Sequence, residues 1–235
     1  MVGKRIAIIL ARGGSKRMPR KNILDFGGKP MLAWSVAAAV ESGLFDKVLV
    51  STDDAEIAEV GRRYGAEVPF LRLTATDDIT PTSQATHAAL LQAEEHWQTK
   101  FDVVAQLMAN CPLRTAQDIR NSIFAFERHD ASSQISCFRF GWMNPWWAIK
   151  LQDGEQPEHL FPDALKMRSQ DLPPLYCPSG ALWIAQRDAF VESKNFYMAD
   201  HRFEPIHWIS AVDIDDEDDL LMAKACLDLQ SDKAR

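Results

Sequence analysis

At 235 residues, 46% of them hydrophobic and 25% charged, the chain is long enough to bury one substantial core. No apolar run reaches the roughly 20 residues that span a bilayer, and the first residues lack a signal-peptide core, so a cytoplasmic protein without membrane attachment is expected. The net charge of −7 argues against a broad nucleic-acid surface; the four dispersed cysteines and six scattered histidines argue against disulfides and a zinc site.

The apolar run from Arg5 to Ala11 reads as a buried first strand. It leads directly into Arg12-Gly13-Gly14-Ser15-Lys16-Arg17-Met18-Pro19-Arg20-Lys21-Asn22, a stretch with five cationic side chains and no acid. A charge run alone fits a solvated loop. A Gly-rich basic loop at the C-terminal end of a buried parallel strand is also where α/β proteins bind phosphates. Neither a Walker loop nor G-x-G-x-x-G is present, so the Lys and Arg side chains themselves would hold a polyphosphate. Gly13 and Gly14 would let the backbone approach it.

Pro30 suits the first turn of a helix over Met31 to Val40, followed by a strand at Lys47 to Ser51. Asp53 with Glu56 predicts a capped helix start, and Gly65 its end. Glu67 to Leu71 reads as a third short strand, Thr82 or Ser83 to Trp97 as a helix, and Phe101 to Leu107 as a further strand. Thr115 and Asp118 open another helix. This alternation predicts an α/β, Rossmann-like fold: a mostly parallel sheet with helices on both faces.

Beyond Arg128 the pattern loosens. Ser132 to Phe140 is strand-like, and an irregular insertion at about 138–178 follows, carrying Trp142, Trp146 and Trp147. Those tryptophans fit either ordinary core or a dimer contact. The strand pattern recovers at Ala181 to Ile184, and the apolar Ile206 to Ile209 leads towards an acidic run. In that run, alternation puts Asp213 and Asp215 on one face with Ile214 turned into the core. Asp216 to Asp219 suit the start of a last helix, to about Leu229. Two projecting carboxylates fit either that helix start or a hard cation such as Mg²⁺; a polyphosphate cradle nearby favours the cation.

Six segments together resemble the acylneuraminate cytidylyltransferases, the CMP-sialic acid synthetases. They are Ala11 to Lys16 with Pro19 to Asn22; Gly28-Lys29-Pro30-Met31; Val50 to Asp54; Cys111-Pro112-Leu113-Arg114; Arg168 to Leu172; and Asp213-Ile214-Asp215. They keep the family's order across residues 6 to about 225. The resemblance implies Mg²⁺-dependent transfer of CMP from CTP to the 2-hydroxyl of a nine-carbon α-keto acid sugar, by a homodimer with a small dimerisation element. It assigns Arg12, Lys16 and Lys21 to the triphosphate, with Lys21 stabilising the transition state, and Asn22 and Arg72 to cytosine and ribose. Gly13, Gly14, Ser15 and Ser83 complete the nucleotide site. Asp213 and Asp215 would hold the metal, and Arg168 and Gln170 the acidic sugar.

Three departures fall on the sugar side. Met108 stands where many of these enzymes have a Gln that touches the sugar. Ser179-Gly180 replaces Asn-Gly, and Met143-Asn144-Pro145 replaces a His-His-Pro type of segment. Exchanging an amide for a thioether removes a hydrogen-bond partner, which points to a deoxygenated acceptor such as pseudaminic or legionaminic acid. The alternatives are cytidylyl transfer to the eight-carbon acid Kdo or another sugar, a non-catalytic CTP-binding module, and an interaction protein built on the aromatic segment.

Overall fold

A computed structural model describes residues 3–233 except Lys16, Asp78, Asp153 and Glu155. In chain order its elements begin with β1 (Arg5–Leu10), the two-residue strands β2 (Asp25–Phe26) and β3 (Lys29–Pro30), α1 (Met31–Ser42) and β4 (Lys47–Ser51). Next come α2 (Ala55–Arg63), α3 (Thr82–Trp97), β5 (Val103–Met108), α4 (Ala116–Arg128) and β6 (Ser133–Arg139). The short β7 (Ile149–Lys150) and β8 (Glu158–His159) precede β9 (Tyr176–Gln186), α5 (Arg187–Ser193), β10 (Arg202–Pro205) and α6 (Glu217–Lys233).

Among the described residues the main sheet has the order β10-β6-β9-β5-β1-β4. The β1–β4, β1–β5 and β6–β10 pairs are parallel, while β9 runs antiparallel to both β5 and β6. The sheet is mostly parallel, as predicted, with β9 as its antiparallel member. β1 is an interior strand, flanked by β5 and β4, and is apolar from Ile6 to Leu10 because both of its faces are covered. Ala7 and Ile9 join Leu32 and Val36 of α1, Ile57 of α2 and Ile119 and Ile123 of α4. Ile6 and Ile8 join Ala89, Leu90 and Ala93 of α3 and Phe190 of α5. Each fully buried isoleucine is worth roughly 1.5–3 kcal/mol. A third, smaller cluster joins Met18 of the basic loop, Phe26, Met31, Ile214 and Ala223 of α6. This cluster anchors the two charged segments to one end of the sheet.

Local chemistry accounts for most boundaries. Thr115 and Asp118 form a reciprocal capping box at α4. Gly27 and Gly28 both adopt positive φ in the two-residue β2–β3 turn, and a Cβ on Gly27 would come within 2.4 Å of Leu227. Gly65 follows α2 at φ 100°, as a terminating glycine should. Pro30 precedes the helix as the last residue of β3.

Two expectations are corrected, the α2 cap and the third short strand. The N-cap of α2 is Asp54, which accepts from the N–H groups of Glu56 and Ile57; Asp53 turns instead to the loop after β1. Glu67 to Leu71 is not a strand: Glu67 makes one parallel bridge to Leu49, and Pro69, with no N–H to offer, ends the pairing. The last strand is Arg202–Pro205, while Trp208–Ala211 coils into a 3-10 turn.

Residues 140–175 form an exposed arm between β6 and β9, held internally by an edge contact of Trp146 and Phe161 and by the Trp146 indole N–H donating to Pro173 at 2.9 Å. Among the described residues, no helix is long and apolar enough to cross a membrane.

Candidate active site

β1, β4 and β5 run parallel and in register, so Leu10 pairs with both Ser51 and Met108 and their following loops leave the sheet on one side. That shared exit is where open α/β sheets bind ligands. The basic loop is fastened here at several points. The Gly13 N–H donates to Asp53 Oδ1 at 2.9 Å, and the buried Asn22 amide donates to the Arg12 carbonyl at 2.9 Å. Arg20, in left-handed backbone at φ 57°, reaches both Asp54 and Glu56. A Cβ on Gly13 would stand 2.8 Å from the Asp54 carboxylate, so the loop passes too close for a larger residue.

The acidic segment closes on this loop from the other end of the chain. Lys21 Nζ donates to the Ile214 carbonyl and to Asp215 Oδ1, both at 2.8 Å. Arg17 donates to Asp215 Oδ2 at 2.6 Å. Asn110, at the end of β5, gives its amide N–H groups to Asp213 and, at 3.3 Å, to Asp215 Oδ1, and its carbonyl accepts from the Ile214 N–H at 2.9 Å. As expected, Ile214 is fully buried between the two acids, and Asp216 and Asp219 cap α6 reciprocally.

Asp213 retains exposed surface, yet crowding of its carboxyl by protein atoms, then the charge of Asp215, raises its pKa to about 6; Lys21 pulls the other way. Burial also acts to raise Asp215, but hydrogen bonds and charge from Lys21 and Arg17 outweigh it and hold that pKa below the ordinary value. A strained pair of like charges suits a cation.

Between the segments lies a cleft of about 240 Å³. Its lining brings together Arg12, Ser15, Lys21, Asn22, Arg72, Met108 and Asp215 of the sequence-derived candidates. Arg72 is buried, donating to the carbonyl and hydroxyl of Ser51 at 3.2 and 3.1 Å, and burial lowers its pKa. Asp53 opposes that shift and the neighbouring Arg12 charge adds to it, so two guanidiniums line one cleft, a setting that suits an anion.

Other candidates lie elsewhere. Ser83 is buried with its hydroxyl 3.5 Å from Asn195, and Thr82 lines the cleft instead. Arg168 is exposed on the arm and paired with Asp171 at 2.7 and 3.1 Å, and Gln170 is exposed beside it. Gly13, Gly14 and Asp213 do not line this cleft, and Lys16 falls outside the described residues. Sequence reasoning missed Asn110, Asp77, Thr80 and Thr82 as lining residues. Asn110 was the one within reach, since it directly precedes the Cys111-Pro112-Leu113-Arg114 segment that carries the resemblance.

Among the described residues, no group of three or more His, Cys, Asp or Glu side chains could hold a metal by itself. The donor set is two carboxylates, Asp213 and Asp215, both within reach of the one Asn110 amide. Mg²⁺ keeps waters and shares substrate phosphates instead of demanding a full protein cage, so this pair fits it.

Comparison with known proteins agrees with this geometry. Residues 6–144, more than half the chain, match a family described as Cytidylyltransferase. A pseudaminic acid cytidylyltransferase of Campylobacter jejuni is 33% identical over 222 residues, covering 94% of this chain and 95% of that one. A CMP-N,N'-diacetyllegionaminic acid synthase of Legionella pneumophila is 31% identical over 232 residues, covering 97% of each. In fold, the chain is similar to a CMP:2-keto-3-deoxy-manno-octonic acid synthetase complexed with CTP, with a TM-score of 0.70 at 15% identity, covering 97% of this chain and 99% of that one. With a basic loop and Asp215 of the acidic segment facing one cleft, and with this degree of kinship, the chain belongs to the cytidylyltransferase family.

Proposed function

We propose that this chain transfers CMP from CTP to the 2-hydroxyl of a nonulosonic acid and releases pyrophosphate. One observation carries the reading: Arg12, Lys21 and Arg72 converge with Asp215 on a single cleft. In the reaction the sugar oxygen attacks the α-phosphorus in line and the bond to the β-phosphate bridging oxygen breaks. Pyrophosphate takes the electron pair, and the hydroxyl proton passes to solvent or a nearby base. Such a step depends on positioning and on stabilising charge, not on covalent chemistry by the protein.

Lys21 is the residue proposed to stabilise the transition state, with Arg12 and Lys16 on the triphosphate. Its side chain is only 13% exposed, so its charge acts at reduced solvent screening. Asn22 and Arg72 are proposed for the cytosine and ribose, and Ser15 for the remainder of the nucleotide. Asp213 and Asp215 would hold Mg²⁺, which when bound neutralises phosphate charge and acidifies the attacking hydroxyl.

Met108 on the cleft wall favours an acceptor deoxygenated where it meets the thioether, hence pseudaminic or legionaminic acid. Arg168 and Gln170 lie outside this cleft, so their proposed contact with the sugar carboxylate requires movement of the arm or an arm from a second copy. The exposed Trp142, Leu151 and Leu160 of the arm support a homodimer.

The test is pyrophosphate release with CTP and Mg²⁺ against pseudaminic, legionaminic and N-acetylneuraminic acids and Kdo. Turnover of either of the first two is expected. Turnover of N-acetylneuraminic acid with failure of both would sink the deoxygenated-acceptor reading. Silence with all four, while CTP binds, would favour the non-catalytic CTP-binding module.

A further inference from the structure

Beside the ends of β5 and β9 lies a buried cation that the reaction above does not use. Arg114, which closes the segment after β5, is 2% exposed. Its Nη1 donates to the Ala181 carbonyl in a short contact and lies 3.5 Å from the Met108 carbonyl. Its Nε and Nη2 are buried and have no hydrogen-bond partner among the described residues. A guanidinium without a carboxylate in such a place opposes folding, and burial pushes its pKa down to about 10. Stability alone therefore gives a poor account of why an arginine stands here.

Its location offers a better one. The β5–β9 ladder stops at the pair Gln106 and Trp183. Past that point the two strands have no ladder bond to hold them, and there Nη1 of Arg114 takes one carbonyl from each. Ser35 holds the Met108 carbonyl from its own side, at 3.2 Å. The gap so bridged is crowded: a Cβ on Gly180 would stand 2.9 Å from Met108 Cγ and 4.0 Å from Asp213 Oδ2. The spacing of β5 and β9 thus decides where the Met108 side chain rests, against Gly180 and beside the acidic pair.

We propose that Arg114 is a positioning residue that sets the acceptor side of the cleft, by fixing the separation of the ends of β5 and β9 and through it the Met108 wall. This rests on the reading that the Met108 side receives the sugar. Small misplacements of a substrate-facing wall have large effects on rate and binding.

The experiment compares Arg114→Lys, Arg114→Met and Gly180→Ala with the wild-type full chain, using CTP and whichever of the four acids the wild type turns over. KM is measured separately for acid and CTP, alongside kcat and Tm. Arg114→Met should raise the acid KM about tenfold or more, leave the CTP KM within about twofold, and leave Tm unchanged or higher. Arg114→Lys keeps the charge on a shorter stem with a compact head in place of the planar guanidinium, and should recover part of the loss. Gly180→Ala should raise the acid KM in the same direction, and its combination with Arg114→Met should fall short of the product of the two effects. Equal rises in both KM values, or an unchanged acid KM in both Arg114 variants, overturn the proposal while leaving the function intact. If Arg114→Met does not fold, the lysine variant decides by the same KM comparison. If the wild type turns over none of the acids, the acceptor reading falls and this inference falls with it.

Discussion

Lys21 joins the two charged segments physically as well as chemically, since its ammonium holds both the backbone and the side chain at 214–215. On the proposed mechanism, removing it would strip a charge from the developing pyrophosphate and free the acidic segment. Lys21→Ala should lower kcat by about 10²–10³-fold in a pyrophosphate-release assay; a loss of less than about fivefold would remove Lys21 from the catalytic role. The acidic pair makes its own prediction. Asp213→Asn and Asp215→Asn should each weaken Mn²⁺ binding, followed by electron paramagnetic resonance with CTP present, by about tenfold or more. Unchanged Mn²⁺ affinity in both variants would return these acids to a capping role.

At the scale of elements, Asp54 links the helix to the loop: it caps α2 and receives Arg20 from the basic stretch. Asp54→Ala should cost about 1 kcal/mol, up to about 2, in chemical denaturation. The Arg20 hydrogen bond, together with the α2 amides, holds the Asp54 pKa below 3.8 despite some burial. A depressed carboxyl pKa contributes stability that is present above the unfolded value and lost as pH falls through the folded one. Arg20→Ala should therefore flatten the fall in Tm below about pH 4. The same helix shows how local patterns run out. Asp53 and Asp54 are equally good caps by residue type; the choice fell to Asp54 because the Gly13 N–H claims Asp53. β9 was only half legible for a similar reason. Its Pro178-Ser179-Gly180 stretch breaks the apolar alternation, and its pairing partners lie far away in sequence.

At the scale of the whole molecule, the described residues of the arm at 140–175 are largely exposed, with Trp142 at 88% exposure and Leu151 at 71%. Apolar surface of this kind marks an interaction site. Light scattering should give a mass near twice the 26.5 kDa of one chain, and Leu151→Glu with Leu160→Glu should return it to the single-chain value. A wild-type mass of one chain would remove the homodimer.

The sequence by itself determined the elements and the chemistry available: a buried first strand, a basic loop at its end, an acidic pair alternating around Ile214, and capped helices. These are local, because burial period and capping act within a few residues. Only the tertiary structure decided which charges meet. Lys21 and Asp215 lie 194 positions apart and are joined by sheet order and by the small core around Ile214. It also decided that Asn110 bridges the two acids and that Arg114 sits behind the Met108 wall, because side-chain hydrogen bonds across diverging strands leave no periodic mark in the chain.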